Sequence, residues 1–214
     1  MDFNVHARDG SVCGIIGPNG CGKSTFFRAC AGLAPIARGR LLIDGADPRL
    51  NPKRARAALT LLPENPSFFD GYHALDILRL HAALLGLDSR QAGTAIEREG
   101  GRWQLMDFWM RTARNYSRGQ KTRLALACAA LSPAHNVILD EPTAGLDFEG
   151  IAIARAWISE LAQSGRCVLV ATHVVADIDL LCNERVGLRD GIDHGMVETD
   201  LWMKGARSQD KAAL

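Results

Sequence analysis

Nine residues near the start of the chain, "GPNGCGKST" from Gly17 to Thr25, constrain the fold more than any other stretch. They follow the apolar run "SVCGIIG" (11–17), which reads as a buried strand, and they open a helix at Lys23. A glycine turn between a buried strand and a helix asks for an α/β fold with a mostly parallel sheet. The same spacing, GxxxxGKS, is a phosphate cradle. Gly17, Gly20 and Gly22 let backbone N–H groups converge on phosphate oxygens that side chains would obstruct, and the helix adds its positive end. Pro18, Asn19 and Cys21 complete the loop, with Cys21 read as a small residue that the cradle does not need. In such a loop the Lys23 ammonium reaches the β/γ-phosphates, the Ser24 hydroxyl ligates Mg²⁺, and Thr25 supports the α-phosphate.

The rest of the chain alternates in the same way. "GRLLIDG" (39–45) and "ALTLLPENP" (58–66) read as strands, the first ending in an Asp-Gly turn and the second stopped by prolines. From 67 to about 114 the pattern turns helical, with "HALDILRLHAALLGL" and "RQAGTAIERE" and no convincing strand. After Gln120, apolar residues at 124, 127, 128 and 131 mark one face of a helix, which makes Cys128 a core residue. "NVILDEP" and "CVLVATH" are two more buried strands, separated by a helix with Ile151, Ala154, Ile158 and Leu161 inward. The expected organisation is one domain: a core from 1–66 and 119–195, a helical insertion at 67–118, and a polar tail at 200–214.

Composition sets aside several function classes. A formal net charge of +1 gives no broad footprint for nucleic acid. No apolar run approaches the roughly 20 residues needed to span a bilayer, and the N-terminus lacks a secretion pattern. Six cysteines without CxxC pairing read as reduced thiols rather than disulfides or zinc ligands. Tryptophans 103, 109, 157 and 202 show no cofactor spacing and read as packing.

"VILDEP" (137–142) places Asp140 and Glu141 at the carboxyl end of a buried strand, where ligands of open α/β sheets collect. There Asp140 can hold Mg²⁺ through its water shell, and Glu141 can polarise a water attacking the γ-phosphate. "YSRGQ" (116–120) is a second short Ser/Gly element at a helix start, readable either as a plain helix cap or as a phosphate contact.

Taken in order, the phosphate loop, "YSRGQ" and "VILDEPTAGLD" resemble the ATP-binding subunit of ABC transporters, over about Phe3 to Gly195. The resemblance implies a P-loop NTPase with an inserted helical subdomain, using ATP and Mg²⁺. It implies that two nucleotide-binding domains pair head to tail, as a homodimer or with a paralogue. Ser117, Arg118, Gly119 and Gln120 then serve the ATP held by the other copy. It also implies that His173 contacts the γ-phosphate, that Asp147 lies in a turn crossing the dimer interface, and that Lys23, Glu141 and His173 form the catalytic set. A separate transmembrane permease subunit is the implied partner, which puts the protein on the cytoplasmic face of the membrane.

The chain departs from the family in several places. Glycine and leucine are usual where Arg118 and Tyr116 stand. Glutamine is usual at Glu64, which keeps an oxygen for Mg²⁺ but adds charge; the alternative for Glu64 is a solvated loop residue. "LPE" at 62–64 resembles exporter-type members, so export is the expected direction. The chain opens close to the phosphate loop, and Phe3 reads as core rather than as the adenine-stacking aromatic. Phe68, Phe69 and Tyr72 stand close together and are candidates for the permease contact. Two other functions stay open: a non-transport ATPase of the same family, and an ATP-binding regulator with little turnover.

Overall fold

The computed structural model describes residues 4–189 and 192–197. Phe3, Trp202 and the expected tail at 200–214 lie outside the described residues. The strands are β1 (Val12–Ile16), β2 (Leu59–Leu62), β3 (Asn136–Asp140), β4 (Cys167–Ala171), β5 (Glu184–Arg189) and β6 (Ile192–Met196). The helices are α1 (Lys23–Cys30), α2 (Pro52–Ala57), α3 (Ala74–Leu84), α4 (Ser89–Arg102), α5 (Arg118–Leu131), α6 (Phe148–Gln163) and α7 (Val175–Leu181). Two compact units divide the chain: Met1–Leu61 with Ala134–Glu141 and Trp157–Leu214, and Leu62–Pro133 with Pro142–Ala156.

The first unit is built on a sheet of order β2-β3-β4-β1-β5-β6. β3, β4, β1 and β5 run parallel, and β6 is antiparallel to β5. Every residue of β1 and β4 is buried, as continuous apolar runs require when both faces of a strand are covered. Cys13, Ile15, Ile138, Leu169, Ala171 and Leu188 form one core with Phe27 and Cys30 of α1. The register aligns the strand ends. Ile15 lies opposite Ala171, and Ala171 lies opposite Asp140, so β1, β4 and β3 end in one row.

One expected strand is corrected. Residues 39–45 form no ladder among the described residues, only the isolated bridge Ile43↔Ala46. The Asp-Gly turn is real: Asp44 and Gly45 take φ of 47° and 73°, the two left-handed residues of a tight hairpin turn. The two ends hydrogen-bond at 2.9 and 2.8 Å, but the pairing stops there. All six cysteines are buried and free, and burial pushes the Cys13, Cys30 and Cys128 thiols up to about 12.

In the second unit α3, α4 and α5 pack pairwise on one another. α4 starts on a reciprocal cap: Asp88 accepts from the N–H groups of Arg90 and Gln91, and Gln91 Oε1 accepts from Asp88 N–H at 3.1 Å. In α5, Leu124, Ala127, Cys128 and Leu131 are buried, but not as one face: Thr122 to Ala129 are buried without a break, so the helix is covered all round there. Trp103 is buried and Trp109 half-buried.

A second feature of this unit is a stitched strip. The chain at 70–74 runs beside the chain at 112–116, through the bridge His73↔Thr112, Ala113 N–H to Tyr72 O (2.9 Å) and Arg114 N–H to Asp70 O (3.2 Å). Tyr116 closes it. Its hydroxyl accepts from Ala74 N–H at 2.9 Å and donates to Arg111 O at 2.7 Å, while its ring meets Phe108 edge-on at 5.0 Å. A leucine in its place could make neither hydrogen bond. No helix among the described residues is long and apolar enough to cross a membrane.

Candidate active site

The phosphate loop occupies the carboxyl end of β1. Gly17 is dictated by packing: a Cβ there would lie 2.0 Å from the carbonyl oxygen of Leu188 and 2.6 Å from Cys21 Sγ. Gly20 and Gly22 supply left-handed backbone, with φ of 78° and 113°. Gly22 caps α1 without any side-chain hydrogen bond, which leaves the first-turn amides of α1 for another acceptor. Lys23 is buried, and its ammonium donates to Gly17 O (2.8 Å) and Pro18 O (3.1 Å), with Cys21 Sγ at 3.9 Å. Both carbonyl partners are uncharged. A buried cation set among carbonyls at an uncapped helix start fits a polyphosphate. Ser24 is half-buried and Thr25 exposed.

Two strands away, across β4, Asp140 is buried at the end of β3 and Glu141 follows in left-handed backbone, φ 53°. That conformation costs a non-glycine residue on the order of 1 kcal/mol and recurs at sites where direction matters more than ease. Glu141 is tied down at every point: its N–H donates to Ala171 O at 2.8 Å. Its carboxylate accepts from the Thr172 hydroxyl (3.2 Å) and from His173 N–H (3.0 Å). His173 Nδ1 lies 2.9 Å from Glu141 Oε2, with the ring 67% exposed. With Nδ1 engaged on the carboxylate, Nε2 is the ring nitrogen left for another partner. Lys23, Asp140, Glu141 and His173 thus all belong to the first unit, Lys23 at the start of α1 after the loop that follows β1 and the other three at or just beyond the ends of β3 and β4, which finish together.

Ser117, Arg118, Gly119, Gln120 and Asp147 belong to the second unit, as does Glu64, an exposed loop residue. Ser117 is the N-cap of α5. Its Oγ accepts from Gln120 N–H (3.2 Å), while Gln120 Oε1 accepts from Ser117 N–H (3.0 Å). The helix-cap reading of "YSRGQ" is therefore correct as geometry. It leaves the hydroxyl proton free to donate, and Ser117 and Arg118 are exposed. Gly119 has a reason beyond an open N–H: a Cβ there would lie 2.4 Å from Gly145 O. The Arg118 stem packs on Gly145 from the other side. Asp147 Oδ1 accepts from Gly150 N–H at 2.9 Å, capping α6. That bond, followed by Arg123, holds the Asp147 carboxyl below its usual range. Thr172 and Arg123 belong to no motif, and both anchor residues that do.

Among the described residues no group of three or more His, Cys, Asp or Glu side chains forms a metal site. The oxygen donors at hand, the Ser24 hydroxyl and the Asp140 carboxylate, suit a hard divalent ion that takes its remaining ligands from phosphate and water.

The glycine loop at the end of β1 in a parallel sheet flanked by helices defines a P-loop NTPase fold. A family model described as ABC transporter matches residues 1–144. The chain is 27% identical to the ABC transporter ATP-binding protein NatA of Bacillus subtilis, over 98% of this chain and 85% of NatA. It is 33% identical to the cobalamin import ATP-binding protein BtuD of Halobacterium salinarum, over 90% of this chain but half of BtuD. A solved ATP-binding subunit of an ABC transporter superposes with a TM-score of 0.85 at 26% identity, over 95% of this chain and 85% of that one. The chain belongs to the ABC transporter ATP-binding family, whose members bind and hydrolyse ATP.

Proposed function

We propose that this chain is a motor subunit that closes on ATP as a pair and drives transport through a separate transmembrane permease at the cytoplasmic face of the membrane. The partner copy is an identical chain or a paralogue. Each ATP lies between the Gly17–Thr25 loop of one copy and the Ser117–Gln120 corner of the other. In this reading 67–118 is the helical subdomain and the remainder to 195 the nucleotide-binding core. Export is the direction we assign, on the Leu62-Pro63-Glu64 resemblance. BtuD is named for import, so a vesicle transport assay decides the direction.

The observation that supports turnover is the anchoring of Glu141 by Ala171, Thr172 and His173. Lys23 moves its ammonium from the Gly17 and Pro18 carbonyls to the β/γ-phosphates, exchanging neutral acceptors for charged ones. The Glu141 carboxylate orients a water for in-line attack and takes its proton. Thr172 and His173 fix the direction of that carboxylate, and His173 Nε2 can accept from the same water or, when it carries a proton, donate to the γ-phosphate. Ser24 and Asp140 would hold Mg²⁺, which when bound neutralises phosphate charge. The corner at Ser117–Gly119 offers its hydroxyl and the positive end of α5 to the partner's nucleotide.

Replacing Glu141 with Gln keeps the shape and removes the base. Turnover is expected to fall by a factor of about 10²–10⁴, and the variant is expected to elute as an ATP-dependent dimer in size exclusion. Unchanged phosphate release by Glu141→Gln rejects the assignment.

A further inference from the structure

Arg123 is 7% exposed, in the part of α5 that is buried all round, where a charged side chain needs a reason. It reaches three groups. Its guanidinium donates to Trp103 O (3.3 Å), to Gln104 Oε1, and to Asp147 Oδ1 at 2.6 Å. Gln104 in turn donates through Nε2 to Glu149 Oε1. One fork thus joins the end of α4, the middle of α5 and the turn that starts α6. Nearer the corner the same two segments lock twice more. Thr122 Oγ1 donates to Ala144 O at 2.9 Å, and Gly119 meets Gly145 closely enough to forbid a Cβ.

Gln104 adds an independent sign. It ends α4 with φ 53°, while Gln104 N–H bonds to Gly101 O and Leu105 N–H to Gly100 O. That is the helix-end geometry in which glycine is the preferred residue. A glutamine there is strained backbone retained for its side chain, and the side chain goes to Arg123 and Glu149.

We infer that Arg123 is a positioning residue, with Gln104 as its second anchor, holding the Asp147 turn in fixed register with the Ser117–Gln120 corner. These two segments are the ones the proposed pairing presents to the neighbouring copy, and the inference rests on that reading. A rigid pair of contact elements places the γ-phosphate donors once; a loose pair has to find its position at every closure.

The test uses the full-length protein and the variants Arg123→Lys, Gln104→Gly and Asp147→Asn, with kcat, melting temperature and affinity for a fluorescent ATP analogue measured on each. Lysine keeps the charge and loses the fork. Glycine at 104 relieves the strained backbone while deleting both side-chain bonds, so its melting temperature should stay within about 2 °C of wild type. Both variants should lose between about tenfold and a hundredfold in kcat, with analogue affinity unchanged within about twofold. Adding Arg123→Lys to Asp147→Asn should lower kcat no further than Asp147→Asn alone. Full kcat in Arg123→Lys and Gln104→Gly, or loss of kcat only in step with loss of folded protein, overturns the inference and leaves the paired reading standing. A wild-type protein without turnover, whose Glu141→Gln variant forms no ATP-dependent dimer, sinks the paired reading and this inference together.

Discussion

Replacing Tyr116 with Phe removes one oxygen and leaves the ring in place. That oxygen accepts from Ala74 N–H and donates to Arg111 O, and Ala74 is wholly buried, so water cannot replace it. Ala74 is the first residue of α3, and its cap residue His73 makes no side-chain hydrogen bond to the helix. The stranded amide therefore has no alternative partner within α3. A buried polar group left unsatisfied costs about 1–3 kcal/mol. The Arg111 carbonyl belongs to an exposed residue and relaxes more cheaply, so a total of about 2 kcal/mol is expected. For a chain of this size that lowers the melting temperature by about 4–8 °C. Tyr116→Leu, which installs the family's usual residue, should fall further, because it also loses the edge-on contact with Phe108, about 0.5–1.5 kcal/mol. Thermal melts followed by circular dichroism measure both. A Tyr116→Phe melting point within about 1 °C of wild type would refute the claim that this hydroxyl satisfies the start of α3.

Two other predictions concern the Phe69–Tyr72 pair and the Asp47–Arg49 ion pair. Phe69 and Tyr72 are 67% and 48% exposed with ring centroids 5.6 Å apart, and Phe68 beside them is half-buried. If they are the permease contact, Phe69→Ala should abolish co-purification with the membrane subunit while leaving the melting temperature unchanged; retained co-purification removes the assignment. Asp47 is clamped by Arg49, through Nε at 3.0 Å, Nη2 at 2.6 Å and the backbone N–H at 2.8 Å. The side-chain bonds first, then the backbone one, bring its carboxyl from 3.8 to about 2. A folded value below the unfolded one means the clamp stabilises fully above about pH 4 and loses this contribution as pH falls towards about 2. The gap in urea midpoint between wild type and Asp47→Asn should therefore be widest near pH 7 and narrower at about pH 3. A gap that holds constant contradicts the clamp.

Much of the reactive centre was legible because it sits where chain-local rules decide. Val12–Ile16 and Cys167–Ala171 are buried throughout and Asn136–Asp140 is buried from Val137 on, so all three are written largely as apolar runs; the polar candidates Asp140, Glu141 and His173 stand at or just beyond the ends of two of them. The strand Glu184–Arg189 escaped notice because its ends are charged and its apolar residues, Val186 and Leu188, number too few to make a run. Residues 39–45 misled in the opposite way, with strand-like composition spent on a tight turn. The left-handed backbone of Glu141 and the near-contact of Gly119 with Gly145 are set by neighbours distant in sequence, and no local pattern encodes them. Arg123 did leave a trace. It stands immediately before the unbroken apolar run Leu124–Leu131 of its helix, and a cation at the head of such a run signals a partner.

The strip that stitches 70–74 to 112–116 has a mechanical consequence. Exposed aromatic rings hang from one of its edges, at Phe69 and Tyr72, and Ser117 is the next residue after the other edge ends. Force applied to those rings has no slack loop in which to dissipate, because a bridge, two backbone bonds and a tyrosine hydroxyl close the ladder along its whole length. Whatever grips Tyr72 also has a hand on Ser117.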